Sequence, residues 1–207
     1  FAQMMNQQAQ KLGLSHTHFA NSTGLPDPEH YSTARDIGKL ARALIRDFPE
    51  FYKYYSEKEF TYNGISQYNR NKLLWRDESV DGMKTGHTDS AGYCLVASAK
   101  RDGMRLISAV MGSASESTRA SESQTLLNYG FRFYRTYKLY NAGESLHKVR
   151  VWKGADDHVA VSLPKDLYLT IPRGERDQLK VTLDFKGPLM APVSKGTKVG
   201  QLTAKLD

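Results

Sequence analysis

The sequence predicts an α/β (α+β) protein: a mixed domain of helices and antiparallel sheet over residues 1–140, then a small all-β domain over residues 141–207. Three observations carry this reading. Ile37, Leu40, Ala41, Leu44 and Ile45 recur at helical spacing. Asn63-Gly64 and Asp102-Gly103 each stand between alternating or apolar runs, the pattern of two-residue hairpin turns. From about Asn141 helical periodicity stops, and short alternating segments follow one another between Gly, Pro and Asp turns.

Taken in order, Phe1, Met4, Met5 and Leu12 fall on one helical face, and Gly13 suits a C-terminal cap. No capping residue precedes Phe1, which leads to the expectation that the chain is cut inside or just before a helix. The turn-rich loop "NSTGLPDPEHYS" follows, and Ser32 or Thr33 then caps the helix that carries Ile37 to Ile45. "KEFTYNGISQYN" reads as a hairpin. "GYCLVASAK" and "MRLISAVMG" read as paired antiparallel strands, one continuing back toward Lys84-Thr85-Gly86. Ser115 or Ser117 starts a long helix with Leu126, Leu127, Phe131 and Tyr134. A boundary falls near residues 138 to 145. Beyond it "HKVRVWKG", "HVAVSLP", "LYLTIPRG", "LKVTLDF" and "TKVGQLTAKL" read as strands. The closing "QLTAKLD" reads as a strand stopping at the start of its turn, so the β-rich domain is expected to be incomplete.

Composition narrows the function classes. The 207 residues are 40% apolar and 25% charged, as in ordinary globular proteins. No apolar run approaches the roughly 18 residues of a membrane span, and the first ten residues lack the basic start and apolar core of a signal peptide. Lys and Arg exceed Asp and Glu by 29 − 22 = 7, but the charge is dispersed and no nucleic-acid motif is present, so nucleic acid is not an expected partner. The single cysteine, Cys94, lies in a strand-like apolar run.

Phosphate-loop, zinc-protease and paired-cysteine motifs are absent from the sequence. His16 and His18 alternate as strand ligands can, but no third ligand is near, and no metal or cofactor is implied. Asp27, Glu29 and His30 are accounted for by turn formation in a Pro-rich loop. Lys84-Thr85-Gly86 differs. On an edge strand a lysine supplies a fixed positive charge, a threonine a hydroxyl for a carboxylate, and a glycine room for a ligand backbone. The plainer reading is a surface lysine entering a strand, with Gly86 at a bulge.

"VDGMKTGHTDSAGYCLVASAKRDGMRLISAVMG", "HTHFANSTGLPDPEHYSTARD" and "NRNKLLW" together resemble the serine-type D-alanyl-D-alanine carboxypeptidases of the low-molecular-mass penicillin-binding proteins. The resemblance runs over essentially the whole chain. It implies the latter part of a β-lactamase/transpeptidase-like domain, then the β-rich domain of the penicillin-binding protein 5/6 group. That family uses Ser-x-x-Lys, Ser-x-Asn and Lys-Thr-Gly in chain order, and only the third occurs here in that context. Ser145-x-x-Lys148 and Ser162-x-x-Lys165 lie downstream in the β-rich region and read as decoys, so the nucleophile and its lysine are expected upstream of Phe1.

The resemblance implies acyl transfer on a peptidoglycan stem peptide ending in D-Ala-D-Ala, with β-lactam antibiotics acylating the same serine. It implies that Lys84 anchors the ligand, that Thr85 bonds its carboxylate, and that the strand through Gly86, His87 and Thr88 pairs with the peptide. Arg70 and Arg119 match arginines that hold the carboxylate, although "SASEST" departs from the family's usual approach to Arg119. A periplasmic protein peripheral to the inner membrane is implied, tethered through a missing C-terminal amphipathic helix. Three alternatives stand beside this: a class A β-lactamase-like hydrolase, against which the β-rich tail argues; a non-catalytic peptidoglycan-binding or scaffolding module; and a binder of anionic polymers driven by net charge.

Overall fold

A computed structural model describes residues 1–185 and 187–206. The chain divides into two compact units, Phe1–Arg132 and Phe133–Asp207. Helices and antiparallel sheet make up the first and short strands the second, which is the fold class read from the sequence.

In the first unit α1 (Ala2–Lys11) ends where Leu14 N–H donates to the Ala9 carbonyl at 2.9 Å and Gly13 N–H to that of Gln10 at 3.0 Å, a Schellman turn. On the apolar face read from spacing, Met5 and Leu12 are half-buried and Phe1 and Met4 are exposed, while Ala9 and Leu14 are buried. Helix α2 (Ala34–Asp47) is capped by Thr33, whose Oγ1 accepts from Asp36 N–H at 3.2 Å. Asp36 is buried and accepts from His16 N–H at 2.8 Å, Thr17 Oγ1 at 3.0 Å and Lys39 at 3.3 Å. Burial pushes the Asp36 carboxyl up, but these bonds hold it below its ordinary value. The loop after α1 is thereby fastened to α2 by a charged side chain that needs every partner it has.

A short helix α3 (Pro49–Tyr52) and a 3₁₀ turn (Lys53–Ser56) bring Tyr52 to the sheet, where it packs with Ala41 and Met83 among Leu44, Ile45, Val96 and Ile107. The hairpin β1 (Glu59–Tyr62) and β2 (Ile65–Tyr68) turns at Asn63-Gly64, and both residues take positive φ, 50° and 75°. One turn of helix, α4 (Leu73–Arg76), leads into β3 (Val80–Thr88), β4 (Gly92–Arg101) and β5 (Met104–Ser113). These form an antiparallel sheet in the order β3-β4-β5. The Lys-Thr-Gly segment does not continue either strand of the Asp102-Gly103 hairpin. The chain reverses after Thr88, whose Oγ1 accepts from Ala91 N–H at 3.0 Å, and Lys84 to Gly86 lie on a strand of their own at the sheet's edge.

The start of that strand is held from two sides. Tyr52 OH donates to Asp81 Oδ1 at 2.9 Å, and Arg105 reaches both Asp81 oxygens at 2.7 Å while also donating to Ser98 Oγ at 2.7 Å. Next to Asp81 only a glycine fits, since a Cβ on Gly82 would stand 2.5 Å from the Tyr52 hydroxyl oxygen. Asp77 binds the same corner to the rest of the unit, accepting from Arg101 at 2.6 Å and from Gln124 at 2.7 Å.

Gln124 belongs to α5 (Glu116–Phe133), whose first turn is capped by Ser115, with Oγ accepting from Thr118 N–H at 3.1 Å. The helix stops at Phe133 instead of running through Tyr134. Arg173 N–H donates to the Phe133 carbonyl at 2.8 Å, and Tyr134 opens a strand paired with Pro172. Long-range pairing ends a helix that local pattern would extend.

The second unit holds β6 (Tyr134–Tyr140), β7 (His147–Trp152), β8 (His158–Val161), β9 (Leu167–Pro172), β10 (Leu179–Phe185), β11 (Leu189–Met190) and β12 (Gly200–Leu206). β6 pairs with β9, β7 with β8, and β10 with β12, all antiparallel; β11 joins β7 in parallel. Val149 and Ile171 are its buried apolar side chains among the described residues. β6 places residues from Phe133 onward with this unit, ahead of the composition break near Asn141. The closing strand runs to Leu206, and the turn expected at Asp207 lies outside the described residues.

Replacing Gly82 with Ala is expected to destabilise the chain by about 1–3 kcal/mol, the usual cost of overpacking a filled site, read as a lower denaturant midpoint. Because Tyr52→Phe removes both the clashing oxygen and its bond to Asp81, the Gly82→Ala change should cost less in a Tyr52→Phe background than in the parent. An equal cost of Gly82→Ala in the two backgrounds would show that the clash lies elsewhere.

Candidate active site

Within β3, Lys84 and Gly86 are exposed, and Thr85 between them is buried. The pairing with β4 runs without interruption from Gly82↔Ser98 to Thr88↔Gly92, and the register shift lies earlier, between Val80 and Gly82. Gly86 therefore does not sit at a bulge. A Cβ added there would meet only Cys94 Cβ, at an ordinary 3.9 Å. Gly82 is demanded by the fold; Gly86 is not.

Sequence-distant residues converge on this strand. Arg119, in the first turns of α5, is 3% exposed and donates from Nη1 to the Gly86 carbonyl at 3.1 Å, with its guanidinium 5.4 Å from the Tyr93 ring centroid. Tyr93 also stacks against His87, centroids 3.9 Å apart. Arg70 is aimed by the asparagines on either side of it. Asn69 donates to the Glu57 carbonyl at 3.0 Å and accepts from Asn71 N–H at 2.9 Å. Asn71, fully buried, donates to the Gly82 carbonyl at 3.1 Å. The arginine is thus fastened between the hairpin base and the start of β3.

Lys84 donates to the Thr85 carbonyl. Its pKa lies below the ordinary 10.5, first because burial disfavours the ammonium and then because Arg70 and Arg119 add positive charge nearby. Glu116 sits beside these cations, with Oε2 3.0 Å from Lys72 Nζ and Oε1 3.7 Å from Arg119. Lys72 chiefly, and Arg119 and Arg70 after it, hold the Glu116 carboxyl below its ordinary value. The result is a cationic group on an open strand edge, suited to a ligand that carries a carboxylate and can add main-chain hydrogen bonds to β3.

Lys84, Thr85, Gly86, His87 and Thr88 thus lie consecutively on β3, with Arg70 brought near from the segment before α4 and Arg119 from α5. Asn71, Tyr93 and Glu116 were not singled out from the sequence. The two asparagines around Arg70 were the available signal for the first; nothing local marks the others. Ser145 precedes β7, and Ser162 follows β8, so neither Ser-x-x-Lys match starts a helix. Among the described residues no group of three or more His, Cys, Asp or Glu could hold a metal ion, and no helix is long and apolar enough to cross a membrane.

Residues 1–115 match the family described as D-alanyl-D-alanine carboxypeptidase, and residues 134–207 match the penicillin-binding protein 5 C-terminal domain. The D-alanyl-D-alanine carboxypeptidase DacA of Escherichia coli K12 is 47% identical over 209 residues, which is 100% of this chain and 52% of DacA. Penicillin-binding protein 5 of Haemophilus influenzae is 44% identical with a TM-score of 0.89, over 100% of this chain and 61% of the other. Penicillin-binding protein D2 of Listeria monocytogenes, solved in its ampicillin-bound form, is 36% identical with a TM-score of 0.60, over 63% of this chain and 55% of that one. The chain spans about half the length of the curated relatives it matches.

Removing charge near Lys84 is expected to raise its pKa. In Arg70→Gln, titration of ¹³Cε-labelled lysine followed by NMR should place Lys84 nearer 10.5 than in the parent, without reaching it, because the burial cost remains. The sign for stability follows. With the folded pKa below the unfolded one, the unfolded chain keeps the proton longer, so Lys84 adds stability as pH rises between the two values. A Lys84 pKa unmoved by Arg70→Gln would place the two cations too far apart to interact.

Proposed function

The chain belongs to the D-alanyl-D-alanine carboxypeptidase family, and from that membership we propose that the whole protein is a peptidoglycan-processing serine D-Ala-D-Ala carboxypeptidase. A serine attacks the carbonyl between the two terminal D-alanines of a stem peptide. The last D-alanine leaves, and water releases the shortened peptide from the acyl-enzyme. The serine and its lysine lie in the part of the family's length outside these 207 residues. β-Lactams acylate the same serine, a reading supported by the ampicillin-bound form of the Listeria monocytogenes relative. The protein works in the bacterial cell envelope, on the periplasmic side and peripheral to the inner membrane.

The observation that carries this reading is the Arg119 bond to the Gly86 carbonyl on an open strand edge beside Lys84. Lys84 attracts the ligand carboxylate and poises the site. Arg70 and Arg119 hold that carboxylate, to which Thr85 adds a hydroxyl. The backbone through Gly86 and His87 pairs with the peptide and stabilises charge on the attacked carbonyl, with Thr88 closing the same edge. Gly86 leaves room for the approaching peptide where the fold itself sets no demand. A β-lactamase-like reading is disfavoured by the second unit's match to the penicillin-binding protein 5 C-terminal domain.

In the whole protein, Lys84→Ala should lower both acylation by a fluorescent penicillin and turnover of a D-Ala-D-Ala peptide, by about 10²-fold, the scale of losing one electrostatic contact to developing charge. Ser145→Ala and Ser162→Ala should leave both unchanged. Full activity in Lys84→Ala, or label mapped to either downstream serine, would overturn the assignment. Residues 1–207 alone, shown folded by circular dichroism, should take up no label.

A further inference from the structure

Arg119 already has a carboxylate beside it. Glu116 lies one helical turn earlier on α5, and its two oxygens are shared between cations of different kinds. Oε2 is 3.0 Å from Lys72 Nζ, close enough for a hydrogen bond. Oε1 is 3.7 Å from Arg119 Nη2, an ion pair without one. The Glu116 side chain is 43% exposed, whereas that of Arg119 is 4% exposed and bonded to the Gly86 carbonyl. Lys72 follows Asn71, whose buried side chain is bonded to Gly82, so its backbone starts from a fixed point. The arrangement is a partly exposed acid held by one cation beside another.

Resting on the reading of Arg119 as a carboxylate-holding residue, we propose that Glu116 is a specificity-determining residue: a resident carboxylate that competes with the terminal carboxylate of the incoming peptide for Arg119, and that Lys72 draws aside. The competition weakens ligands ending in a free carboxylate and leaves those ending in an amide untouched. Lys72 sets its strength, because whatever holds Glu116 at Lys72 keeps it off Arg119.

The test uses the whole protein and two peptides that differ only at the C-terminus, one ending in D-Ala-D-Ala carboxylate and one in its amide. KM and kcat are measured for the first, and the second is used as a competitive inhibitor. Glu116→Gln should lower KM by about two- to fivefold, the scale of a partly exposed ion pair, with kcat and the inhibition constant of the amide unchanged. Lys72→Met should raise KM, and the same change made in Glu116→Gln should have little effect, because Lys72 acts through the acid. Equal changes for both peptides, an unchanged KM in Glu116→Gln, or a Lys72 effect that persists without Glu116 would each overturn the proposal. A parent protein that turns over no D-Ala-D-Ala peptide would overturn the carboxypeptidase reading and this proposal with it; an active parent with an unresponsive Glu116→Gln removes the role of Glu116 alone.

Discussion

Asp81 accepts from Tyr52 and is paired bidentately with Arg105, and the position of every group on β3 depends on that one carboxylate. Tyr52 and Arg105 meet the same acid from different elements, one from the helical layer and one from β5. The contact joins the helical layer, through Tyr52, to two strands of the sheet. Directly after it the chain passes so close to the Tyr52 ring that position 82 has no space for a side chain. β3 therefore leaves its anchor in a fixed direction, and Lys84 lies three residues on.

What the anchor provides is an edge strand that is rigid yet unpaired on one side. An exposed edge normally invites pairing with other chains, and here charge crowds it instead. Partial burial, and after it the nearby charges of Arg70 and Arg119, hold the Lys84 pKa below its ordinary value. The buried Arg119 is restrained by the backbone of the very strand it serves. Its position and the geometry of the β3 edge are one arrangement.

Neutral side chains around the cluster fix it as well. Asn69 and Asn71 hold the backbone on both sides of Arg70 through bonds to main-chain groups. Tyr93 lies against both His87 and Arg119. Ser115 caps α5 and so sets where the helix presents Arg119 and Glu116. Each of these is a local bond with a consequence several residues away.

Local pattern alone determined the hairpins at Asn63-Gly64 and Asp102-Gly103, a cap at Ser32 or Thr33, the amphipathic α2, the run of strands after Asn141 and the Lys84-Thr85-Gly86 segment. In each the physics is short-range: a backbone angle, a spacing, a hydroxyl beside an amide. Arg70 and Arg119 were legible only through resemblance, since an isolated arginine has no local mark of its use. The tertiary structure decided what depends on residues far apart in sequence. It ended α5 at Phe133 by pairing the following strand with β9, and it turned the chain at Thr88 so that β3 became an edge. It brought Asp81 to Arg105 and Glu116 to Lys72. Periodicity tells which side chains share a face; only packing tells which face finds a partner, because burial is a property of two surfaces and a sequence window holds one.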